Sequence, residues 1–171
     1  MKSYFQIPAL FLFFPLLFSP LFAQSNSTEN NSRFELDSVK QVVYDHGKKL
    51  VWQQSGSTDL LMGDFVQSYV DSLNSIAFGG YTDWRLPTKS EAQSLITSEV
   101  KRGDELKIDP VFDTEQAWIY TNETDQAEWP TIIYFTSGKI STEPIGYFGS
   151  FVRLVRNNTN ANIAELAHSD K

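Results

Sequence analysis

The order of its patterned segments limits the fold of this chain more than any single motif does. Two helix signals follow one another in the middle of the chain, and segments with strand character lie on both sides of them. Residues 45–48 (DHGK) and Ser137-Gly138 are typical of hairpin turns between such segments. Because strands and helices are segregated and do not alternate, the sequence predicts an α+β fold with antiparallel sheets and two helices. We expect strands over residues 39–44, 49–53, 117–121, 131–135, 139–141 and 149–155.

Capping boxes mark the starts of the two predicted helices. Asp64 with Gln67, and Thr88 with Glu91, have the spacing at which side chains and backbone N–H groups of the first turn satisfy each other. Gly79-Gly80 is predicted to end the first helix, since glycine tolerates the left-handed backbone found at helix ends. The expected buried faces are apolar residues at helical spacing: Phe65, Tyr69, Leu73 and Ile76 in the first helix, and Ala92, Leu95 and Ile96 in the second.

The start of the chain has the pattern of a secretory signal peptide. Residues 1–23 carry an early lysine, then an apolar run, then Ala23, after which we expect cleavage. The run falls short of the ~20 residues of a membrane span, and the alternative is an uncleaved anchor. Residues 24–33 are predicted to be a flexible linker, residues 34–156 the folded domain and residues 157–171 a polar tail. The predicted location is therefore secreted or periplasmic, in the cell envelope.

Composition excludes several classes of function. The 171 residues include no cysteine, which rules out disulfide scaffolds, thiolate zinc sites and cysteine nucleophiles. The formal charge of −7 and the pI of 4.8 argue against nucleic acid and anionic membrane surfaces as partners, because both are polyanions. We expect membrane contact only if the signal segment stays uncleaved.

Several motifs of the domain occur in the order known from one family. The run Gly79-Gly80-Tyr81-Thr82-Asp83-Trp84-Arg85-Leu86-Pro87-Thr88, followed by Glu91 and Ser94-Leu95-Ile96, closely resembles the signature of the Lcl C-terminal domain family. The match covers residues 39–156. The other matching pieces are Val43-Tyr44-Asp45, Leu50-Val51-Trp52, Ile108-Asp109-Pro110 with Phe112, Trp129 through Phe135 with Gly138, and Phe151-Val152-Arg153-Leu154-Val155-Arg156.

The resemblance implies a C-type lectin-like fold and an exported bacterial recognition domain. The named member of the family is an adhesin domain that binds sulfated polysaccharide. Two departures distinguish this chain: Leu154 stands where relatives have cysteine, and residues 117–121 (AWIYT) replace the family's aromatic-Trp-Ser-Ser-Thr segment. The acidic charge also disfavours a sulfated ligand, because like charges repel at long range.

The segment predicted to bind a ligand lies between two strands, at residues 120–129 (YTNETDQAEW). It combines polar side chains with aromatic residues at both ends, a composition typical of sites for polar ligands. The resemblance implies that this region corresponds to the variable binding loops of lectin-like folds; an ordinary surface connection is the alternative. The candidate ligand-binding residues are Tyr120, Asn122, Glu123, Glu128 and Trp129.

Other conspicuous residues have both a structural and a functional interpretation. Trp84 and Arg85 are predicted to anchor a loop and to pair with a carboxylate or carbonyls; the alternative roles are a sugar platform and an anion clamp. Residues 104–128 contain eight acidic side chains and one lysine, which indicate a solvated loop or, alternatively, a calcium site or a surface for a basic partner. Glu143-Pro144 is similar to the pair found in calcium-dependent lectins, but the accompanying amide and Trp-Asn-Asp triplet are absent.

The sequence offers no constellation that predicts catalysis. Its two histidines, His46 and His168, fall in a predicted turn and in the tail, and no nucleophile–base pair is evident. We therefore predict no enzyme activity, no cofactor and no metal site. The leading hypothesis is an exported lectin-like recognition or adhesion module for an extracellular glycan or protein, with homo-oligomers possible in principle. A structural or assembly component of the envelope is the second hypothesis, and an envelope glycoside hydrolase is the third.

Overall fold

A computed structural model describes residues 32–98, 106–144 and 149–159, which belong to one compact unit that begins at Ser32. The predicted α+β class with antiparallel sheets and two helices is confirmed in this unit. The signal segment, most of the linker, Asp104, Glu105 and most of the tail lie outside the described residues. In chain order the elements are β1 (Phe34–Asp37), β2 (Val42–Asp45), β3 (Leu50–Gln53), α1 (Asp64–Ser75), a 3-10 turn (Phe78–Gly80), α2 (Lys89–Gln93), β4 (Trp118–Thr124), β5 (Pro130–Tyr134), β6 (Ile140–Thr142) and β7 (Val155–Asn157).

The first sheet has four antiparallel strands in the order β1-β2-β3-β7. The hairpin predicted around residues 45–48 is confirmed, with Asp45 opposite Leu50. Strand β1 was not predicted, since its Phe-Glu-Leu-Asp sequence is short and half-exposed at the edge of the sheet. Arg33, the last residue of the predicted linker, directs its guanidinium to the buried Asp45 carboxylate at 2.6 Å. The described fold thus includes the end of that segment.

The second sheet has three antiparallel strands in the order β4-β5-β6. The predicted turn at Ser137-Gly138 joins β5 to β6, and Gly138 adopts the positive φ of 76° that suits glycine. The strand predicted over residues 149–155 is wrong in most of its length. Ser150 pairs with Leu61 and Phe151 with Ile119, and only at Val155 does a regular strand begin. This segment crosses between structural elements and changes hydrogen-bond partner at almost every residue, so no continuous ladder forms.

The predicted capping box is confirmed for α2 and wrong for α1. Helix α2 has the full capping box of Thr88 and Glu91, as predicted. The box predicted for α1 is wrong: Gly63 is the N-cap, without any side-chain hydrogen bond, and Gln67 bonds instead to Asp71. The predicted stop at Gly79-Gly80 is also displaced, because α1 ends at Ser75 and Ala77 takes the left-handed conformation.

The buried face of α1 differs from the predicted stripe. Phe65 and Ile76 are each 71% exposed, while Val70 and Leu73 are buried. Leu73 was predicted to be buried, and Tyr69, also predicted, packs partly buried against the same cluster. The prediction is therefore confirmed for the middle of the helix and wrong for Phe65 and Ile76 at its ends. In α2 the predicted face holds: Ala92 and Leu95 are buried, and Ile96 packs against them partly buried.

The interior consists of two apolar clusters to which both sheets contribute. Neighbouring residues of one strand enter different clusters, as Ile119 and Tyr120 do in β4, because successive side chains point to opposite faces. One cluster contains Trp52, Phe112 and the face of α2; the other contains Trp84 and the face of α1. Within the described part of the chain, no helix has the length and apolarity needed to cross a bilayer.

Candidate functional site

Trp84 is an internal anchor of the loop that joins the two helices. Its side chain is 2% exposed and packs beside Phe78 and Tyr81, and its indole N–H donates to the Phe78 carbonyl at 2.9 Å. Its backbone N–H donates to Asn74 Oδ1 at 2.7 Å, and Asn74 Nδ2 donates back to its carbonyl. A ring enclosed in this way offers no face to a sugar, so the platform interpretation is wrong and the structural one holds.

Arg85 is fully engaged within the fold. Its two terminal nitrogens donate to both carboxylate oxygens of Glu91 at 2.8 and 2.7 Å, and a further bond reaches Asn157. The hydrogen bonds to Glu91 raise the pKa of Arg85. Burial alone would raise the pKa of Glu91, but the bonds from Arg85 and Thr88 hold it below its usual value. The pair therefore stays ionised, and both terminal nitrogens of Arg85 are already bonded within the fold.

The two arginines of the closing motif are also structural. Arg153 is completely buried and donates to the carbonyls of Gln53, Gln54 and Asp113, and to Gln116 Oε1 at 2.7 Å. Burial lowers the pKa of Arg153 to about 10, so it remains charged at neutral pH.

Arg156 holds the loop before Trp84. Its guanidinium pairs with Asp83 at 2.6 Å and lies over the Tyr81 ring at 4.0 Å. Asp83, the residue before Trp84 in the motif, is thereby fixed to the closing strand. The signature of this domain encodes its packing, and a binding surface has to be sought elsewhere.

The five residues predicted to bind a ligand do not converge on one site. Tyr120 is 5% exposed and, together with the exposed Asn122, lines a small cavity of about 210 Å³ beside Leu86. Glu123 accepts the backbone N–H of Lys89 at 3.0 Å, at the start of α2. Glu128 and Trp129 belong to the tip of the β4–β5 hairpin, which Asp125 organises by accepting the Trp129 backbone N–H.

A larger cleft opens next to the same hairpin. It has a volume of about 630 Å³, and its wall is mostly apolar and aromatic. Clefts of this size and composition are typical of small-ligand sites. The described residues that line it are Leu60, Trp118, Ile132, Tyr134, Glu143, Pro144 and Gly149.

The register of β4 and β5 builds the aromatic wall of this cleft. Trp118 lies opposite Tyr134 in the antiparallel pair, and their rings are 6.2 Å apart with an interplanar angle of 31°. Phe151 contacts the same indole at 5.4 Å. Because cross-strand partners project from the same face, the pairing fixes both rings side by side.

The opposite wall is fixed by the segment that precedes α1. Leu61 and Ser150 exchange backbone hydrogen bonds of 2.9 and 3.1 Å, which hold Leu60 against Gly149. A Cβ at Gly149 would lie 2.9 Å from the Leu60 Cβ, so glycine is required for this close approach. Residues 150 and 151 link this wall to the aromatic one, since the Phe151 carbonyl accepts the Tyr120 backbone N–H of β4 at 3.0 Å.

Glu143 supplies the charge of the cleft. Tyr134 Oη lies 3.5 Å from Glu143 Oε1, and no ion pair joins this carboxylate to any other residue that the structure describes. Burial, followed by the negative charge of Glu143, raises the pKa of the Tyr134 phenol. The site combines apolar stacking surfaces with one carboxylate acceptor.

A family model described as the Lcl C-terminal domain matches residues 41–156. The chain belongs to this family. The span agrees with the resemblance noted over residues 39–156, and it contains the aromatic wall and Glu143. No curated protein and no solved structure gives a significant match to the chain.

The cleft of this Lcl C-terminal domain was missed in the sequence, although a signal for it exists. Alternation puts Trp118 and Tyr120 on one face of the predicted strand 117–121, and Ile132 and Tyr134 on one face of the predicted strand 131–135. The antiparallel register makes these the same face of the sheet. This face carries three aromatic rings, of which Tyr120 alone was among the predicted ligand-binding residues. What the sequence could not supply is the opposite wall, because the contact of Leu60 with Gly149 joins distant parts of the chain.

The acidic stretch of this family member makes local contacts where it is described. Asp113 accepts from Ser55 at 2.9 Å and from the backbone N–H of Glu115, and Asp125 organises the hairpin tip. Over residues 32–98, 106–144 and 149–159, no group of three or more potential metal ligands is assembled. The calcium interpretation therefore gains no support from the described part.

Proposed function

We propose that this protein is an exported, non-catalytic recognition module with a C-type lectin-like fold, and that it binds an extracellular glycan or protein through the aromatic cleft. The cleft carries the proposal: two cross-strand aromatic rings, Trp118 and Tyr134, form an open wall of ordered stacking surface beside a hydrogen-bonding carboxylate. The membership in the Lcl C-terminal domain family, two antiparallel sheets and two helices agree with this proposal.

The absence of a catalytic pair in the described cleft supports a binding role. Glycoside hydrolysis needs two carboxyl groups on either side of the bond to be cleaved. Glu143 is the single acidic residue among the described residues that line the cleft. Turnover of a labelled polysaccharide by the purified protein would overturn this part of the proposal.

A glycan and protein array, run with and without calcium, tests the proposal. Leu60 is 47% exposed at the rim, so Leu60→Trp should fill the cleft without disturbing the core, and it should abolish the array signal. Met62→Trp is the matched control, because Met62 is similarly exposed at 44% and does not line the cleft. Equal binding by both variants would place the ligand elsewhere and contradict the proposal.

A role in envelope assembly is the second candidate. Leu60, Met62 and Phe65 are all exposed within a few residues of each other, with Phe65 at 71%. An exposed apolar group of this kind is typical of surfaces that contact other proteins. Concentration-dependent oligomers that disappear in Phe65→Ser, together with an empty array, would favour this candidate.

A further inference from the structure

The charge of the aromatic cleft restricts the ligand further than its shape does; this inference rests on the proposed function of that cleft. Among the described lining residues, Glu143 carries the only formal charge, and the remaining ones are apolar or aromatic apart from the Tyr134 phenol. No described cation neutralises Glu143. A carboxylate in a largely apolar wall is best stabilised by a cation that the ligand brings.

The aromatic rings favour the same sign of charge. A cation over the face of a tryptophan or tyrosine is attracted by the ring quadrupole, and Trp118 provides the strongest such face. The whole chain adds to this preference, since its formal charge of −7 attracts cations and repels anions. Ring faces, carboxylate and overall charge therefore select against sulfate and phosphate groups at this position.

The scarcity of acceptors distinguishes between kinds of cation. A primary ammonium has three N–H donors, and each donor that is buried without an acceptor costs free energy. The described lining side chains offer two oxygen acceptors, the Glu143 carboxylate and the Tyr134 hydroxyl, and the other lining side chains are apolar or aromatic. A quaternary ammonium has no donor to satisfy, and its methyl groups gain from contact with rings and aliphatic side chains.

We propose that the cleft binds a quaternary ammonium group, with Trp118 and Tyr134 as the ring contacts and Glu143 as the counter-charge. The volume of about 630 Å³ leaves room for the atoms to which such a head group is attached. Both a soluble choline-bearing molecule and a phosphatidylcholine surface present this chemistry.

Calorimetric titration of the full chain with choline tests the proposal against two analogues. Dimethylbutanol, in which carbon replaces the choline nitrogen, keeps the shape without the charge, and ethanolamine keeps the charge without the methyl groups. We expect choline to bind about tenfold or more tightly than either analogue. Equal affinity for choline and dimethylbutanol, or no detectable heat with choline, would overturn the proposal.

Two matched variants connect the binding to the cleft. Glu143→Gln should weaken choline binding about tenfold and leave dimethylbutanol unchanged, because only the charged ligand loses its partner. Glu115→Gln removes an equal charge from an exposed position that does not line the cleft, and it should leave both affinities unchanged. Thermal unfolding of both variants checks that the fold is kept; equal loss of choline affinity in both would indicate a long-range charge effect and contradict the site.

Vesicles identify the source of the group. Sedimentation with phosphatidylcholine vesicles, reversed by free choline, would support a lipid source; binding of choline alone would support a soluble one. Another outcome is an array ligand whose binding is lost in Leu60→Trp while choline does not bind. That result would overturn the quaternary ammonium proposal and leave the proposed recognition role intact. If neither choline nor any ligand on the array binds, both proposals are contradicted.

Discussion

Glu91 shows how one carboxylate connects the start of a helix with the loop that precedes it. It accepts two bonds from the Arg85 guanidinium and one from the Thr88 backbone N–H, while Thr88 Oγ1 accepts the N–H of Glu91 itself. The helix start and the loop that follows Trp84 are thereby fixed to each other. Hydrogen bonds to ionised groups are the stronger kind, so their loss should be measurable.

The first prediction concerns acid stability. Because the pKa of Glu91 is lowered in the folded state, its contribution is present above the usual carboxyl pKa and is lost as the pH falls through the folded value. We expect Glu91→Gln to lower the free energy of unfolding near neutral pH by about 1–2 kcal/mol and to flatten its decline below about pH 5. Urea unfolding at several pH values measures both effects. Glu115→Gln, at an exposed position, should leave the slope unchanged; an identical change in both variants would refute the assignment.

The second prediction concerns the buried Arg153. Its planar guanidinium reaches acceptors on two separate segments, at Gln53 at the end of β3 and at Asp113 and Gln116 before β4, which a lysine amine cannot span at once. We expect Arg153→Lys to destabilise the fold by about 3 kcal/mol or more, because buried carbonyls lose their donors.

Denaturant unfolding with Arg156→Lys as comparison checks this prediction. Arg156 binds the half-exposed Asp83, to which a lysine can still pair, so its cost should be clearly smaller. Similar costs at both positions would mean that Arg153 has no special role as a connector.

Residue-scale prediction from the sequence succeeded where partners are close along the chain. Thr88 and Glu91 are three residues apart, so their spacing alone indicated the capping box. For Arg85 the expected partner was a carboxylate or carbonyls, and the structure identifies it as Glu91, six residues further on. The partners of Arg153 are 37 to 100 residues away, and no local pattern carries that information. The same limit applies to Glu143, which becomes significant only beside Tyr134.

At the scale of elements, tertiary packing decided where local signals were ambiguous. The hairpins were predictable because turn residues separate alternating strands, and both pairings are present. The face of α1 was predictable only in part: Tyr69 and Leu73 pack against the core as expected, whereas Val70 is buried in place of Phe65 and Ile76. Phe65, the most hydrophobic residue of the first turn, is left on the surface.

The third prediction concerns the contact between the segment after β3 and the segment before β7. A Cβ at Gly56 would collide with the carbonyl oxygen of Val152, which also accepts the Ser57 backbone N–H at 2.7 Å. Neither backbone can move without breaking this bond, so Gly56→Ala should lower stability by about 2 kcal/mol or more. In Gly47→Ala the new methyl meets side-chain atoms and no backbone, namely Arg33 Cγ at 3.3 Å and Asp45 Oδ1 at 3.4 Å, and thermal unfolding should shift much less. Equal shifts would show that the close approach is not what requires glycine.

At the scale of the molecule, one short segment joins the two sheets. The Tyr120 backbone N–H of β4 donates to the Phe151 carbonyl, and Val155 begins the strand that pairs with β3. Between them, Val152 and Leu154 are completely buried. The two sheets are therefore joined, and the domain is closed, only when residues 151–155 are in position. The α+β class was predictable from the order of elements, whereas this closing role was not, because the segment read as an ordinary strand.

The last prediction follows from that closing role. A chain that ends at Ser150 loses the buried Arg153 and Arg156, the strand β7 and the bridge from Val155 to Arg85, so we expect it to remain unfolded. A chain that ends at Thr159 keeps all of these contacts and should unfold at the same temperature as the full chain. Circular dichroism and thermal unfolding of both truncations distinguish the two outcomes. A cooperative transition in the shorter chain would mean that the two sheets assemble without the closing segment, and that its arginines add stability to a fold already formed.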